Sequence, residues 1–334
     1  MIPRVSVCVP VYNGEKYLAE TLESILAQSM QDIEIIISDN ASIDETPKII
    51  AKYANYDPRI VSIRNQANIG YSLNIEKAVS KSISDIVAIF HADDLYHPQI
   101  VEKELWILDN LSEVSAVFTL PAIFTESKKM ARKPSFYSNL ASTKLYNKEN
   151  NALVGNYDSY LPLFLEYGNI FACPSLMTRK NRFIELGGFT NKYPSNEDLE
   201  LWIKYLQGGD SLAIINEFLL YYRKSNTHAS SYWDSRAELA VMYQVIDELI
   251  VSKIEMSSRY IYKWKTNRAV GYARAALNAA KMQDKKKAKK LALLSRKEHL
   301  LPICNIWLLG QWVPSLFALA ISIIHKCRMK NIWN

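Results

Sequence analysis

The chain has 334 residues, about half of them apolar and 22% charged, with a net charge of +6. Such a composition excludes a disordered or fibrous chain and leaves room for one large domain with a substantial appendage. The charge is segregated: residues 1–252 carry 23 Lys/Arg and 31 Asp/Glu, residues 253–334 carry 17 and 3. That asymmetry argues against a uniform nucleic-acid binder and suggests that the basic end meets something anionic, such as a membrane surface.

Four scattered cysteines, Cys8, Cys173, Cys304 and Cys327, show no paired ligand spacing and fit a reducing cytosol better than a disulfide framework. Met1 leads into a strand within four residues, so no signal peptide is expected and the active face is expected in the cytosol.

Residues 1–120 alternate strand-like and helix-like segments, the pattern of an α/β layer with a mainly parallel sheet. Val5 to Val9 reads as a first strand ending at Pro10. Residues 14–28 follow as an amphipathic helix with Leu18, Leu22, Ile25 and Leu26 on one face. Ile33 to Ile37 is a second strand, and the loop 38–42 leads to a helix beginning near Asp44. Ile60 to Ile63 is a third strand, after which the Asn68-Ile69-Gly70 turn opens a helix carrying Leu73, Ile75 and Val79. Ile86 to Phe90 is a fourth, followed directly by His91-Ala92-Asp93-Asp94. A helix runs from about Pro98, tolerated in a first turn, to Asn110, and Val114 to Leu120 is a fifth strand.

Residues 121–170 contain a basic cluster (Lys128, Lys129, Arg132, Lys133) and a stretch rich in Asn, Ser and Tyr. This is a specificity loop or lid, or else a plain surface excursion. Order returns at Ile170-Phe171-Ala172, with a helical segment to Leu186 and a turn at Gly187-Gly188-Phe189. Residues 197–207 read as a helix and Leu212 to Tyr222 as one or two strands. From Trp233 the pattern is helical, at 235–254, 258–282 and 284–298. The boundary falls near Ser230: an α/β domain over 1–230, with halves 1–120 and 121–230, and a basic helical tail over 231–334.

Adjacent carboxylates at Asp93-Asp94 resist burial unless a cation or a hydrogen-bond network compensates them. Alone, the pair reads as a solvated turn. Three loops coincide, however: Pro10-Val11-Tyr12-Asn13-Gly14, Asp39-Asn40 and Asp93-Asp94 each follow a strand, and parallel strands gather them at one edge. An aromatic ring, hydrogen-bonding groups and a carboxylate pair are the parts needed for a base, a ribose and a diphosphate bridged by Mg2+ or Mn2+.

The runs Val5 to Asn13 and Ser38 to Thr46, with Asn68-Ile69-Gly70 and His91-Ala92-Asp93-Asp94, resemble the nucleotide-binding half of family 2 glycosyltransferases. The resemblance extends over roughly residues 3–230. It implies a GT-A fold, a Rossmann-like, mainly parallel sheet with flanking helices, and inverting transfer of a sugar from a nucleotide donor such as a UDP-sugar. By the same resemblance, Pro10, Tyr12, Asn13, Asp39, Asn40 and Asn68 line the nucleotide site. Asp93 is the metal-bearing aspartate and Asp94 an accessory that holds the ribose or the loop.

The family's leading acid is replaced here by His91, either a ligand or a strand-end side chain shaped by packing. Asn196-Glu197-Asp198 opens a helix, where acids also complement the dipole. The resemblance makes Asp198 the catalytic base that takes the proton of the acceptor hydroxyl, with Glu197 shaping the site. Tyr222-Arg223 leads to His228, which by resemblance completes the metal shell or meets the diphosphate, at longer than the usual spacing, or else is a surface-loop residue. The Gly187-Gly188-Phe189 turn resembles the family's acceptor-side loop, although a helix C-cap explains at least one glycine.

Leu301 to Ile324 holds no charged side chain and could just span a bilayer, but Pro302, Asn305, Gln311 and Pro314 argue against a simple spanning helix. Trp307, Trp312 and the flanking basic residues suit an interfacial segment, with Lys285-Lys286-Lys287 and Lys289-Lys290 facing anionic headgroups. Two apolar helices packed on the domain are the alternative. The expectation is an enzyme peripheral on the inner face of the cell membrane, extending a lipid-linked glycan. By family analogy the setting is bacterial surface polysaccharide, such as lipopolysaccharide O-antigen or capsule. A nucleotidyltransferase would carry a Gly-rich, basic phosphate loop after the first strand, which Pro10 to Gly14 is not. A non-catalytic nucleotide- or glycan-binding scaffold of the same fold stays open.

Overall fold

Long β-branched runs build the centre of the molecule. In the computed structural model, which describes residues 2–125, 144–194, 196–224, 236–253, 258–281 and 284–298, the first four strands are β1 (Val5–Val11), β2 (Ile33–Asp39), β3 (Ile60–Arg64) and β4 (Ile86–Ile89). They lie mutually parallel in the order β3-β2-β1-β4. Val5, Val7, Val9 and Val11 enter the core on one face of the sheet, and Cys8 enters the core on the other. Ile33, Ile35 and Ile37 alternate with Ile36 in the same way, so both faces are covered, as a parallel sheet requires.

The sheet continues through β9 (Leu176–Arg179), β6 (Val114–Thr125), β10 (Ser211–Lys224), β8 (Ala152–Gly155) and β7 (Tyr146–Asn147), with the two-residue β5 (Leu95–Tyr96) on β10. β6 and β10 are parallel, and β9 runs antiparallel between β4 and β6. Helices α1 (Leu18–Leu26), α2 (Thr46–Tyr56) and α4 (Ile100–Asn110) supply the core on one face. On the other lie α3 (Tyr71–Lys81), α5 (Tyr157–Tyr167), α6 (Lys180–Glu185) and α7 (Glu197–Gln207).

Two expectations are corrected. The segment from Ile170 to Leu186 is not one helix: a 3₁₀ turn (Cys173–Ser175) precedes strand β9, and only Lys180–Glu185 is helical. Leu176, Met177 and Thr178 are all fully buried, so a strand covered on both faces loses the alternation that would distinguish it from a helix. Of the one or two strands expected over Leu212 to Tyr222, a single one forms, β10, whose register shifts against β6 between Ile215 and Leu220. The loop expected over residues 121–170 is the second correction: it contains β7, β8 and α5, which is opened by Asn156, whose side chain accepts the Ser159 N–H.

The helices α8 (Arg236–Leu249), α9 (Ser258–Lys281) and α10 (Lys285–Glu298) follow. They join the core of the α/β domain through Tyr243, Val245, Ile246, Trp264, Tyr272 and Leu291. Tyr243 packs edge-on against Trp264 and Tyr272 at 5.4 and 5.1 Å, Asn267 donates to the Leu165 carbonyl at 2.8 Å, and Lys263 pairs with Glu166 at 2.6 Å. Among the described residues, no helix is long and apolar enough to cross a membrane. The cluster Lys128 to Lys133, His228, the boundary at Ser230 and the apolar segment 301–324 lie outside the described residues.

Candidate functional site

The carboxyl ends of β1, β2 and β4 deliver their loops to one edge of the sheet, and the loops interlock. Asn13, at φ 50°, donates its amide to Ser42 Oγ (2.9 Å), and its side-chain oxygen accepts the Ile43 N–H (2.9 Å). Ala41, at φ 63°, turns the partner loop; a left-handed non-glycine residue costs on the order of 1 kcal/mol and persists only where its surroundings fix it. Asp39 Oδ1 accepts the Ser42 N–H at 2.9 Å. Its Oδ2 is buried, 3.2 Å from Arg64 Nη1, without the alignment of a hydrogen bond.

Asn40 is buried and committed to its neighbours. Its side-chain nitrogen donates to Asn68 Oδ1 (2.9 Å) and the Gly70 carbonyl (3.2 Å), and its oxygen accepts from Asn65 and the Ile69 N–H. Gly70, at φ 88°, provides the left-handed turn from which α3 starts. Asn40 and Asn68 therefore shape the turn that presents Tyr71. Pro10 is the sixth residue of buried strand β1, and the Tyr12 ring stands out at the rim, 48% exposed.

Beyond β4, the side chains of His91, Asp93 and Asp94 each offer a ligand atom within 4.8 Å of the others. Asp94 is buried: Oδ1 accepts the Arg223 N–H at 2.7 Å, and Oδ2 has no hydrogen-bond partner among the described residues. Burial, reinforced by Asp93, pushes its carboxyl well above the usual range. Burial lowers the His91 pKa, with Asp93 opposing, so the ring favours its neutral, ligating form. An orphaned buried oxygen, a second carboxylate and a neutral imidazole fit a divalent cation, with the two carboxylates supplying hard oxygen donors.

Across the edge, Asp198 lies in the first turn of α7. Its Oδ2 accepts from Asn169 Nδ2 at 2.7 Å, and Oδ1 accepts the Leu199 N–H at 2.8 Å. Helix dipole and hydrogen bonds favour the carboxylate, yet desolvation outweighs them and raises the pKa to about 6. A carboxylate poised there is suited to proton abstraction near neutral pH.

Tyr71 and Cys173 join the two poles. The Tyr71 hydroxyl is 2.8 Å from His91 Nε2 and 3.6 Å from Cys173 Sγ. Burial raises the Cys173 thiol first, and the charges of Asp198, Glu197 and Asp94 add to it. The site thus unites Asp93, Asp94, His91 and Asp198 with Tyr71, Asn169, Cys173 and Arg223, four residues to which sequence reading gave no role here. For Arg223 there was a signal, a charged residue at the end of the apolar run Phe218 to Tyr222.

Residues 6–167 match the model of glycosyl transferase family 2. An uncharacterized glycosyltransferase of Methanocaldococcus jannaschii is 29% identical over 67% of this chain and 72% of its own length. The Bacillus subtilis protein TuaG, a glycosyltransferase named for teichuronic acid biosynthesis, is 25% identical over 74% and 90%. Among solved structures, S. aureus TarS 1–349 in complex with UDP-GlcNAc aligns with a TM-score of 0.56 at 15% identity, covering 86% of this chain and 90% of that one. The Pyrobaculum calidifontis mannosyltransferase PcManGT, in complex with GDP-Man and Mn2+, aligns with a TM-score of 0.56 at 19% identity over 100% and 88%. These likenesses identify the fold as GT-A. The sequence motifs, the match over residues 6–167 and these relatives agree in pointing to glycosyl transferase family 2.

Proposed function

We propose that this glycosyltransferase is a metal-dependent, inverting enzyme that moves a sugar from a UDP-sugar to a glycan acceptor in surface polysaccharide synthesis. The observation that carries the reading is the pairing, at one sheet edge, of the His91–Asp93–Asp94 donor set with a desolvated Asp198 held by Asn169. The exposed Tyr12 ring offers a stacking face for the base, and the buried, unaligned Asp39 Oδ2 offers an acceptor for an imide N–H of uracil.

In the reaction, Asp198 accepts the proton of the acceptor hydroxyl as that oxygen bonds to the anomeric carbon, and the bond from that carbon to the diphosphate oxygen breaks. Asn169 keeps the Asp198 carboxylate oriented toward the hydroxyl. Attack opposite the leaving group inverts the anomeric centre. Asp93, with Asp94 and His91, would hold a Mg2+ or Mn2+ ion, which supplies charge stabilisation on the departing diphosphate. His228 is proposed as a further ligand.

TuaG and the ligands named for TarS and PcManGT support the setting and the donor class. A lipid-linked acceptor on the inner face of the cell membrane is the matching proposal, engaged through exposed Lys285, Lys286, Lys287, Lys289 and Lys290 on α10 and the segment beyond it. The test is thermal stabilisation against a panel of UDP- and GDP-sugars with and without Mn2+. A shift with a UDP-sugar that requires Mn2+ is expected, and no shift with any donor would overturn the proposal. Deletion of residues 299–334 together with Lys285, Lys286, Lys287, Lys289 and Lys290 changed to Gln should release the protein from membrane fractions; retention there rules out the anchor.

A further inference from the structure

Arg223 is 3% exposed and closes the back of the loop that follows β4. Its guanidinium lies 4.4 Å from the Tyr17 ring centroid and 4.6 Å from that of Phe124. From that position Nε donates to the Asp93 carbonyl and Nη2 to Glu20 Oε2, both at 2.7 Å, while its backbone N–H donates to Asp94 Oδ1. Side chain and main chain of one residue thus grip two consecutive acids. The Thr21 hydroxyl, on the same helix as Glu20, is 3.0 Å from the Ala92 carbonyl and 2.8 Å from that of Asp94. Three successive carbonyls therefore lie within hydrogen-bond reach of Thr21 or Arg223, with the single Thr21 proton shared between two of them.

A buried guanidinium needs acceptors beyond its carboxylate partner Glu20, and here one of them is the backbone of a candidate ligand. The additional bond to Asp93 fixes the backbone from which a candidate ligand projects, and the neighbouring rings restrict the plane of the fork. A loop fixed beforehand pays less ordering entropy when it takes up an ion.

We infer that Arg223 is a positioning residue that presets the Asp93–Asp94 loop for a divalent cation, with Glu20 and Thr21 as its supports. This rests on the metal reading proposed above. The test is titration of the full chain with Mn2+ alone, followed by electron paramagnetic resonance of the free ion. Removing such an outer partner costs about 10- to 100-fold in metal affinity. Arg223→Met, which fills space but donates nothing, should weaken Mn2+ binding at least about tenfold. Arg223→Lys, which keeps a charge and a donor but not the planar fork, should fall between it and wild type.

Wild-type Mn2+ affinity in a folded Arg223→Met protein, judged by circular dichroism, overturns the inference and leaves the metal reading intact. If Arg223→Met does not fold, Arg223→Lys decides: a loss of about threefold or more supports the fork, and unchanged affinity overturns it. Absence of Mn2+ binding by the wild-type chain, with or without UDP, removes the metal reading and this inference with it.

Discussion

The two acidic poles of the site use the same side chain in opposite settings. At the β4 pole, Asp93 and Asp94 sit on a backbone bonded from α1 and β10, beside a buried guanidinium and a neutral imidazole. At the α7 pole, Asp198 has a neutral amide partner, Asn169, and its pKa rises to about 6 through burial. The first setting gathers two carboxyls on a rigid frame, one of them pushed upward by burial and by the other, and suits a cation that compensates both. The second holds a single carboxylate near its own midpoint and suits a proton. Environments that treat like groups so differently mark a division of labour between them.

The largest effect that would break this contrast is at the proton pole. Asp198→Asn should lower transfer by about a thousandfold while nucleotide-sugar binding survives, measured by turnover beside calorimetric titration. Near-normal turnover would remove the base from Asp198. The same variant carries a stability signature. An acid whose pKa is raised on folding binds more protons in the native state, so its ionisation costs stability as pH rises from the unfolded value, near 4, through about 6. Asp198→Asn should therefore melt higher than wild type above pH 6 and lose that advantage toward pH 4.

Next in size is the cation pole. Asp93→Asn should reduce transfer by about a hundredfold and abolish any additional thermal shift that Mn2+ gives with nucleotide. A Mn2+-dependent shift that persists unchanged would move the ion elsewhere.

Much of the cation pole was legible in the sequence. β1, β2 and β4 are long apolar runs whose loops carry distinctive polar residues within a few positions, and parallel strands deliver such loops to one edge. The proton pole was legible only as the start of a helix, and α7 begins at Glu197 as expected. Its surroundings were not legible, because β9 gave no alternation and Asn169 approaches from 29 residues away. Arg223 was read as the approach to His228, since its partners Glu20 and Asp93 are 203 and 130 residues distant. Local patterns reveal elements and loops; contacts between distant side chains follow from topology.

A smaller effect sharpens the contrast at Asn169. Its bond stabilises the charged form of Asp198, so Asn169→Ala should shift the acid limb of the transfer rate upward from about pH 6. A hydrogen bond to a charged group is worth about 1.5–3 kcal/mol, which corresponds to a shift of roughly one to two pH units. At pH 8.5 the pH-dependent part of the loss should vanish and leave only the part due to lost orientation, and an equal loss at every pH would show that Asn169 does not act through the Asp198 pKa.

The smallest effect on turnover is expected at a carboxyl that belongs to neither pole. Glu104 of α4 is fully buried with no hydrogen-bond partner for either oxygen among the described residues, and burial alone drives its pKa well above the usual range. It shows what desolvation does without a partner or a task. The native state keeps the proton that the unfolded chain releases above about pH 4.3, so stability falls as pH rises past that point. Glu104→Leu removes this dependence, and the melting temperature should rise by a few degrees at pH 8 and less at pH 5, with turnover unchanged. A pH-independent change would mean that Glu104 is paired in solution, and a loss of turnover would tie α4 to the site. With both excluded, the raised pKa of Asp198 would differ from that of Glu104 in what surrounds it: an oriented amide, a helix start and a position beside the cation pole.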